Sequence, residues 1–362
     1  MPRQRFFRNI DYSMVVSILL LIAVGSLAIY SATCSSGGTA FISRQITWVC
    51  IGFGVFFVMS LLDYKAFTAI APVLYVGVLL LLGSLFIFGR ARSGSTSWLS
   101  IGSFSLQPSE FAKVVLIITL TRYLVWDYEK RQTFFYIVKA WIIAGIPLAL
   151  ILKQPDLGTA LVFIPIIFGM LYAAGARPKY LIMLIIMGIM AVPPMFMFLK
   201  EYQKARLLVF INPNIDPLGA GYNIIQSKIA IGSGGLWGKG WLLGTQNRLS
   251  FLPERHTDFI FSVIGEEFGL LGATFVLLLF GLILMSCFKA AGQARDVSGR
   301  LLVVGVMVYL ATHIIINVGM TIGIMPITGL PLPLISYGGS SMIATLAALG
   351  LVESVHIRRY MF

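Results

Sequence analysis

The stretch Leu252-Pro253-Glu254-Arg255-His256-Thr257-Asp258-Phe259-Ile260-Phe261-Ser262 leads without a linker into an apolar run that continues to Phe288. A run of this length can cross a bilayer as an α-helix. A carboxylate at the mouth of such a helix is costly, because insertion scales assign about 2.5–3.5 kcal/mol to a charge within the membrane. Asp258 therefore needs a charged partner, a watery cleft or a chemical task.

The composition predicts a membrane protein with many spans. Of 362 residues, 58% are hydrophobic and only 11% are charged, which excludes an ordinary soluble domain. The formal net charge is +13, but the basic residues lie in short loops between apolar runs, as expected beside an anionic membrane surface. We therefore expect no nucleic acid partner. The three cysteines have neither CxxC spacing nor a neighbouring histidine cluster, so neither a disulfide framework nor a zinc site is predicted.

Runs of roughly 17–25 apolar residues can span the bilayer. They predict an all-α fold with ten transmembrane helices, forming one integral membrane domain over residues 1–362. The first run follows three arginines and is interpreted as an uncleaved span rather than a signal peptide. The ten predicted spans are 12–32, 45–62, 69–89, 109–126, 134–152, 157–174, 179–199, 259–288, 300–323 and 338–356.

The distribution of basic residues in the short loops predicts the orientation. Ten spans place both termini on one side, and the side richer in lysine and arginine is cytoplasmic. The large loop of about 200–257, between spans seven and eight, is then extracytoplasmic. The cytoplasmic set is Arg3, Arg5, Arg8, Lys65, Lys130, Arg131, Arg177, Lys179, Lys289, Arg295, Arg300, Arg358 and Arg359, against mainly Arg44, Arg90, Arg92 and Lys153 opposite.

The large loop is basic and rich in glycine. Two interpretations remain open: a site for an anionic ligand, built from backbone amides, or a surface loop that lies on lipid. The isoleucines at 224, 225, 229 and 231 predict a short amphipathic helix against the membrane.

Several polar residues fall inside or beside the predicted spans. Glu110 and Lys113 are three residues apart, share a helix face and can pair, either as a structural ion pair or as a pair that positions a substrate. Asp156 is placed to cap the next helix, and His313 and Asn317 to make hydrogen bonds between helices. Glu266 and Glu267 are expected to make polar contacts between spans rather than to perform chemistry.

Two outer segments are predicted to be irregular. The first, 93–108, is polar and has Trp98 in its middle. The second, Pro326–Ser341, contains three prolines that forbid a regular helix. Irregular backbone at membrane depth is tolerated where it is buried in protein or lines a cavity. We therefore expect the second segment to line the same outward cleft as Asp258.

Four motifs together resemble the shape, elongation, division and sporulation (SEDS) family, and the resemblance covers nearly the whole chain. Further motifs in the large loop resemble the elongation branch of that family rather than its division branch. The first four are Gln107-Pro-Ser-Glu110, Gln154-Pro-Asp-Leu-Gly158, Pro253-Glu-Arg-His-Thr-Asp-Phe-Ile-Phe261 and Pro333-Leu-Ile-Ser-Tyr-Gly-Gly339, and the loop motifs are Asp216-Pro-Leu-Gly-Ala-Gly-Tyr222, Gln226-Ser-Lys-Ile-Ala-Ile-Gly-Ser-Gly-Gly-Leu236, Gly238-Lys-Gly-Trp-Leu242 and Gly244-Thr-Gln246.

The resemblance implies a bacterial peptidoglycan glycosyltransferase that polymerises lipid II, an undecaprenyl-linked donor and acceptor, on the outer face of the cytoplasmic membrane. It also implies a class B penicillin-binding protein transpeptidase as partner, within the elongation machinery. Asp258 matches the essential aspartate of the family, Glu110 and Lys113 its polar pair, and Arg206 a basic position in the large loop. Ser97 departs from the family, which commonly has a basic residue just before the loop tryptophan.

These implications lead to one catalytic candidate, Asp258, as the general base toward the acceptor sugar's 4-hydroxyl. No metal ligand is assigned, although a divalent cation, Mg or Mn, is left open as a counter-ion for the pyrophosphate. The alternative for Asp258 is a helix N-cap shared with Thr257. The alternatives for the protein are a lipid II flippase and a scaffold without catalysis. The expected substrate-binding residues are Arg206, Lys113, Glu110, Trp98, Thr257 and Ser341.

Overall fold

The computed structural model describes residues 9–34, 38–92, 95–101, 104–198, 204, 208–217, 219, 221–248 and 251–359. Within these residues the chain is a helical bundle with one small sheet. The α-helices are α1 Tyr12–Thr33, α2 Gly38–Leu61, α3 Tyr64–Ala69, α4 Ala71–Phe88, α5 Pro108–Trp126, α6 Phe134–Lys153, α7 Leu157–Ala173, α8 Pro178–Phe198, α9 Tyr222–Gly234, α10 Thr245–Arg248, α11 Ile260–Gly292, α12 Val297–Thr321 and α13 Gly339–Ile357.

Each of the ten predicted runs coincides with one of these helices. In the part of the chain that the structure describes, seven helices are long and apolar enough to cross a membrane by length and composition, namely α1, α2, α4, α6, α11, α12 and α13. Two of the others, α7 and α8, are apolar but provide shorter segments, and α5 carries Glu110, Lys113 and Arg122. The protein is therefore a multi-pass helical membrane protein.

The last helix forms the centre of the bundle. In the most apolar 18-residue stretch of α13, 94% of the residues are buried, whereas the corresponding figure for α2 is 17%. Both described chain ends meet at one end of the bundle, where the Asp11 amide donates to Glu353 Oε1 at 3.0 Å. At the same end Arg358 Nη1 donates to the Ser60 carbonyl at 3.2 Å. The charged ends of α1, α2 and α13 are thereby fixed together.

The segment that was expected to be irregular around Trp98 is a small antiparallel sheet, so that prediction is wrong. Its strands are β1 Arg90–Arg92, β2 Ser95–Ile101 and β3 Phe104–Leu106, in the order β1-β2-β3. Two of the strands have only three residues, and β2 begins with three consecutive hydroxyl residues, so the sequence offers too few alternating positions to reveal them. Trp98 is paired with Arg90 in the register of the sheet. A basic residue thus lies opposite the tryptophan, although Ser97 stands where the family commonly has one.

The long helix α11 is broken at Gly269, which the continuous apolar run did not predict. Gly269 has φ 64° and ψ −160°, a conformation that glycine tolerates and residues with a Cβ rarely adopt. The break leaves the backbone groups on either side without helical partners, and buried backbone groups of this kind need other hydrogen bonds. A second segment of chain must therefore approach the helix closely.

The glycine-rich part of the large loop supplies those partners. Glycine residues allow its backbone to approach α11, since a Cβ on Gly238 would collide with the Glu267 carbonyl. The pattern that suggested an anion site or a surface loop thus has a structural purpose at this position. The hydrogen bonds are Lys239 N to Glu266 O at 3.0 Å, Gly240 N to Glu267 O at 3.0 Å, Leu270 N to Gly235 O at 2.9 Å and Leu271 N to Leu236 O at 3.2 Å.

The predicted amphipathic helix in the large loop is α9. It is held to the bundle through Ser227, which is fully buried. The Ser227 hydroxyl lies 2.7 Å from Ser262 Oγ in α11 and 2.6 Å from the Thr321 carbonyl that ends α12. One face of α9 therefore packs on the protein, while Ile229 remains exposed on the other.

Replacing Gly269 by alanine should destabilise the protein. The new Cβ would lie 2.6 Å from the Leu236 carbonyl and would hold a positive φ, a strain of about 1–3 kcal/mol. Thermal unfolding in detergent measures the loss. Gly281→Ala in the same helix is the matched control, because nothing lies within 4 Å of its Cβ position, and it should leave stability unchanged or slightly raised. Equal unfolding temperatures for the two variants would contradict this account of the break.

Candidate active site

Asp258 lies in a tight turn immediately before α11. The amides of Thr257, Asp258 and Phe259 converge on the Glu254 carbonyl at 3.2, 3.1 and 3.4 Å. Glu254 itself has φ 50°, a conformation that few residues other than glycine adopt. The turn sets Asp258, which is half-buried, at the mouth of the long helix.

The helix α11 starts one residue later than the capping alternative for Asp258 assumes. The N-cap position is Phe259, whose side chain makes no capping hydrogen bond. The Thr257 hydroxyl donates instead to the carbonyl and Oε2 of Glu254, both at 3.2 Å. Thr257 is therefore engaged with the turn itself rather than with the first turn of α11.

The proline-rich segment wraps this turn. Ser336 Oγ donates to the Thr257 carbonyl at 2.6 Å, and the Tyr337 amide donates to the His256 carbonyl at 3.0 Å. Gly329 lies beside the acid, since a Cβ placed on it would be 3.5 Å from Asp258 Oδ2. The segment is non-helical as predicted up to Gly338, but α13 starts at Gly339, so Ser341 lies in the first turn of a helix.

Asn317 of α12 joins the turn to the proline-rich segment. Its side chain is fully buried, and its Nδ2 donates to the Asp258 carbonyl at 2.9 Å and to the Leu330 carbonyl at 2.7 Å. One amide group thus holds two irregular stretches of backbone against a regular helix. The predicted hydrogen bond between helices is wrong for Asn317 in its partner, because both acceptors are backbone carbonyls of non-helical segments.

Lys113 and Glu110 form a buried charge cluster next to this region. Lys113 Nζ lies 2.6 Å from Glu110 Oε1 and 2.9 Å from His313 Nε2, and the two charged side chains are 0% and 1% exposed. An ammonium can only donate, so His313 Nε2 accepts and its Nδ1 carries the proton. That nitrogen lies 3.3 Å from the Pro331 carbonyl and donates to it.

The cluster is therefore connected to Asp258 by a continuous chain of contacts. His313 and Asn317 are one helical turn apart on α12 and hold adjacent carbonyls of the proline-rich segment. The pairing of Glu110 with Lys113 is confirmed. Their contact with a substrate stays a prediction, because in this conformation both charges lie inside the bundle.

Most of the other residues singled out in the sequence lie at the same end of the bundle as Asp258. The Gln107 amide, which follows β3, donates to Ser340 Oγ at 2.9 Å and thereby ties the sheet that carries Trp98 to the start of α13. Asp156 caps α7 as predicted, accepting from the Thr159 amide at 3.1 Å. Arg206 lies outside the described residues.

Arg255 and an aromatic group form the other side of the turn. Arg255 Nε donates to the Ala32 carbonyl at 2.6 Å, and burial lowers the pKa of this guanidinium below its ordinary value. The rings of Phe41, His256 and Tyr337 contact one another with centroid distances of 5.2–5.7 Å. The ends of α1 and α2 are thus joined to the turn that carries Asp258.

Glu266 and Glu267 both make polar contacts, and within the described residues the expected contact with another span is seen for Glu267. Glu267 Oε1 accepts from Ser31 of α1. Glu266 instead binds the large loop, where its Oε1 accepts from Lys239 Nζ at 2.8 Å and from the Gln246 amide at 3.0 Å. Within the described residues, no group of three or more His, Cys, Asp or Glu side chains is arranged to hold a metal ion.

Sequence reasoning missed part of the site. Ser336, Tyr337 and Arg255 lie in the quoted motifs but were not assigned to it, and Gln45, whose Nε2 is 3.5 Å from the Ser336 carbonyl, was not considered. The signal that could have found them is their position in the sequence. Polar side chains at the ends of apolar runs tend to face a cleft.

The sequence model of the cell cycle protein family FTSW_RODA_SPOVE matches residues 11–361. The chain belongs to this family. Peptidoglycan glycosyltransferase MrdB of Escherichia coli (strain K12) is 38% identical over 98% of this chain and 95% of its own length. Peptidoglycan glycosyltransferase RodA of Treponema pallidum (strain Nichols) is 35% identical over 99% of this chain and 100% of its own.

A solved structure supports the FTSW_RODA_SPOVE assignment at the level of the fold. The structure is described as structural coordination of polymerization and crosslinking by a peptidoglycan synthase complex. One of its chains matches with a TM-score of 0.81 and 32% identity, covering 98% of this chain and 99% of that chain. The predicted resemblance is therefore confirmed by family, relatives and fold.

Replacing Asn317 by alanine should loosen the Asp258 turn. Two buried carbonyls would lose their donor, at about 1–3 kcal/mol for each unsatisfied group. Hydrogen exchange of the amides at 257–259 and 335–337 should accelerate, as measured by mass spectrometry in detergent. Thr312→Val on the same helix is the control, since its hydroxyl donates only to Val308 O of its own helix. Unchanged exchange in Asn317→Ala would contradict the bridging role.

The buried charge pair should behave non-additively. Glu110→Gln alone leaves a buried ammonium without its carboxylate, and Lys113→Met alone leaves a buried carboxylate without its ammonium. Each single change should lower the free energy of unfolding by about 3–5 kcal/mol. The double variant Glu110→Gln/Lys113→Met removes both charges and should recover much of that loss. Thermal unfolding of the four proteins measures the coupling, and additive losses would show that the two charges do not act as a pair.

Proposed function

We propose that this protein is the peptidoglycan glycosyltransferase of a cell elongation machinery, and that Asp258 is its general base. The observation that carries the proposal is family membership over residues 11–361 combined with the geometry of Asp258. That acid sits in a turn held on three sides, by α12, by the proline-rich segment and by the end of α1. Positioned side chains of this kind are what general base catalysis requires.

The reaction joins two lipid II molecules. The acceptor 4-hydroxyl gives its proton to the Asp258 carboxylate as its oxygen attacks the donor anomeric carbon. The bond from that carbon to the pyrophosphate breaks, the electron pair leaves with the phosphate oxygen, and the configuration inverts from α to β. Inverting hydrolases need a second carboxyl group as acid. A pyrophosphate leaves as a stable anion and needs little protonation, so a single carboxylate suffices.

The leaving pyrophosphate needs cations to stabilise its charge. We assign Arg206 of the large loop to this contact on the strength of the family resemblance alone. Lys113 supports the site through His313 and the proline-rich segment, because its ammonium is buried against Glu110. Trp98, Thr257 and Ser341 are assigned to the walls of the substrate cleft. A divalent ion, Mg or Mn, would meet no cluster of carboxylates among the described residues, and no step is assigned to it.

We place ten spans in the membrane, with both termini in the cytoplasm and Asp258 facing the periplasm or cell exterior. The meeting of the described chain ends at one end of the bundle supports an even number of spans. The excess of lysine and arginine in the short loops of that end supports the direction. A lipid-linked sugar displayed on the outer leaflet then reaches Asp258 from the membrane plane.

A class B penicillin-binding protein transpeptidase is the proposed partner. The structural relative belongs to a synthase complex in which polymerization and crosslinking are coordinated, which supports a paired arrangement. Crosslinking by the partner would follow directly on glycan synthesis at the same membrane surface.

Asp258→Asn should abolish polymerisation while the protein still folds. The amide keeps the size of the side chain but cannot accept the hydroxyl proton, and loss of a general base costs typically 10²–10⁴-fold in rate. The assay gives purified protein labelled lipid II in detergent, with and without the partner, and measures glycan ladders on a gel. A flippase or a scaffold without catalysis would produce no ladders even as the unaltered protein.

The matched control is Asp127→Asn. Asp127 is a carboxylate at the other end of α5, where it pairs with Lys130 at 3.3 Å, and its loss should leave polymerisation unchanged. Normal ladders from the Asp258→Asn protein would remove the catalytic assignment. An unaltered protein that forms no ladders with its partner present would remove the proposed function itself.

A further inference from the structure

A cavity of about 590 Å³ lies at the end of the bundle opposite Asp258. It is formed by α3, the last turn of α5 and the first turn of α12. The 19 residues of α5 separate it from Gln107 at the active-site end by about 28 Å, at 1.5 Å per residue. The cavity is therefore separate from the turn that carries Asp258.

Two cations line the cavity. Arg122 Nη1 donates to the carbonyls of Thr68 and Ala69, at 3.0 and 2.7 Å, which fixes the guanidinium against the end of α3. Among the described residues, its Nε and Nη2 groups have no further acceptor. Lys65 Nζ contacts only Asp296 Oδ2, at 2.9 Å, and its side chain is 53% exposed. Both cations thus keep N–H groups available for an anion in the cavity.

The acidic residue in the lining, Asp296, offsets the charge of Lys65 but not that of Arg122. Burial alone would raise the pKa of Asp296, but hydrogen bonds from the Gly299 amide, Lys65 and Tyr64 outweigh it and lower that pKa. Asp296 therefore stays ionised and neutralises Lys65, while its oxygens are already occupied, at 2.8 Å by Gly299 N and 3.0 Å by Tyr64 OH. Arg122 remains as the uncompensated charge.

The rim of the cavity is apolar and faces outward. Val125 is 37% exposed and Trp126 is 82% exposed, at the last turn of α5. Trp126 follows Arg122 by four residues, so the indole and the guanidinium share one face of the helix. Tryptophan at the end of a spanning helix belongs to the membrane interface, where its ring contacts both headgroups and acyl chains. A soluble anion would use the cations but not this rim.

We propose that this cavity binds the headgroup of an anionic glycerophospholipid from the leaflet beside the chain ends. Arg122 and Lys65 contact the phosphate, Ser298 at the start of α12 lies within the same cavity, and Val125 and Trp126 contact the acyl chains. Basic pockets between spanning helices are known to accept lipid headgroups of this kind. The site is independent of glycosyl transfer, so it holds or fails apart from the proposed function.

Native mass spectrometry of the purified, delipidated protein tests the proposal. With equal amounts of phosphatidylglycerol and phosphatidylcholine in detergent, one phosphatidylglycerol molecule should be retained in preference. Arg122→Gln keeps an amide donor for the α3 carbonyls but removes the charge, and should reduce that retention about fivefold, the factor for one cation near a lipid surface. The control variant Lys130→Gln removes an exposed cation outside the cavity and should leave the retention of phosphatidylglycerol unchanged.

Two further measurements decide between the possible occupants. Ser298→Phe fills the cavity but leaves both cations, and should also remove the retained phosphatidylglycerol. Trp126→Ala should weaken retention of the lipid. Equal retention of the two lipids, or unchanged retention in Arg122→Gln and Ser298→Phe, would overturn the proposal. It would equally fail if inorganic phosphate raised the unfolding temperature as much as phosphatidylglycerol and Trp126→Ala had no effect.

Discussion

The hydrogen bonds from Asn317 to the carbonyls of Asp258 and Leu330 are the constraint on which the active-site end depends. Neither of the two joined stretches has regular secondary structure, so each leaves backbone carbonyls that need a donor from another element. A buried amide on a neighbouring helix provides the donor that both lack. Because Asn317 binds the main chain of Asp258, it fixes the position of the residue without occupying the carboxylate.

The buried Lys113 cluster extends the same constraint into the bundle. A buried ammonium is tolerated only with close partners, and Glu110 and His313 provide them at 2.6 and 2.9 Å. His313 in turn donates a hydrogen bond to the Pro331 carbonyl, which is adjacent to the Leu330 carbonyl that Asn317 binds. A site whose backbone is fixed in this way needs little rearrangement when charge develops, which is the condition for electrostatic catalysis.

Hydrophobic run length and composition predicted a multi-pass helical bundle, and each predicted run coincides with a helix of the structure. Motif content predicted the family, while the role of Asp258 stays a prediction. The break at Gly269 and the sheet at Trp98 could not be predicted in the same way. Apolar run length does not report a single glycine with positive φ, and strands of three to seven residues have too few positions for a period. The purpose of the loop glycines was likewise hidden, because it depends on a backbone partner in a different element.

The pairing of Asp258 with Asn317 was also beyond the sequence, although both residues had been singled out. They are separated by 59 positions, and nothing in the pattern says which buried amide faces which carbonyl. What the sequence did show is that both residues are polar side chains placed in or beside apolar runs, where burial is unfavourable. A polar side chain inside an apolar run survives only where another part of the chain satisfies it. The cost of burying the Asn317 amide is offset by two backbone carbonyls of irregular segments, those of Asp258 and Leu330. Matching buried donors to such carbonyls across helices is a physical route from sequence to site.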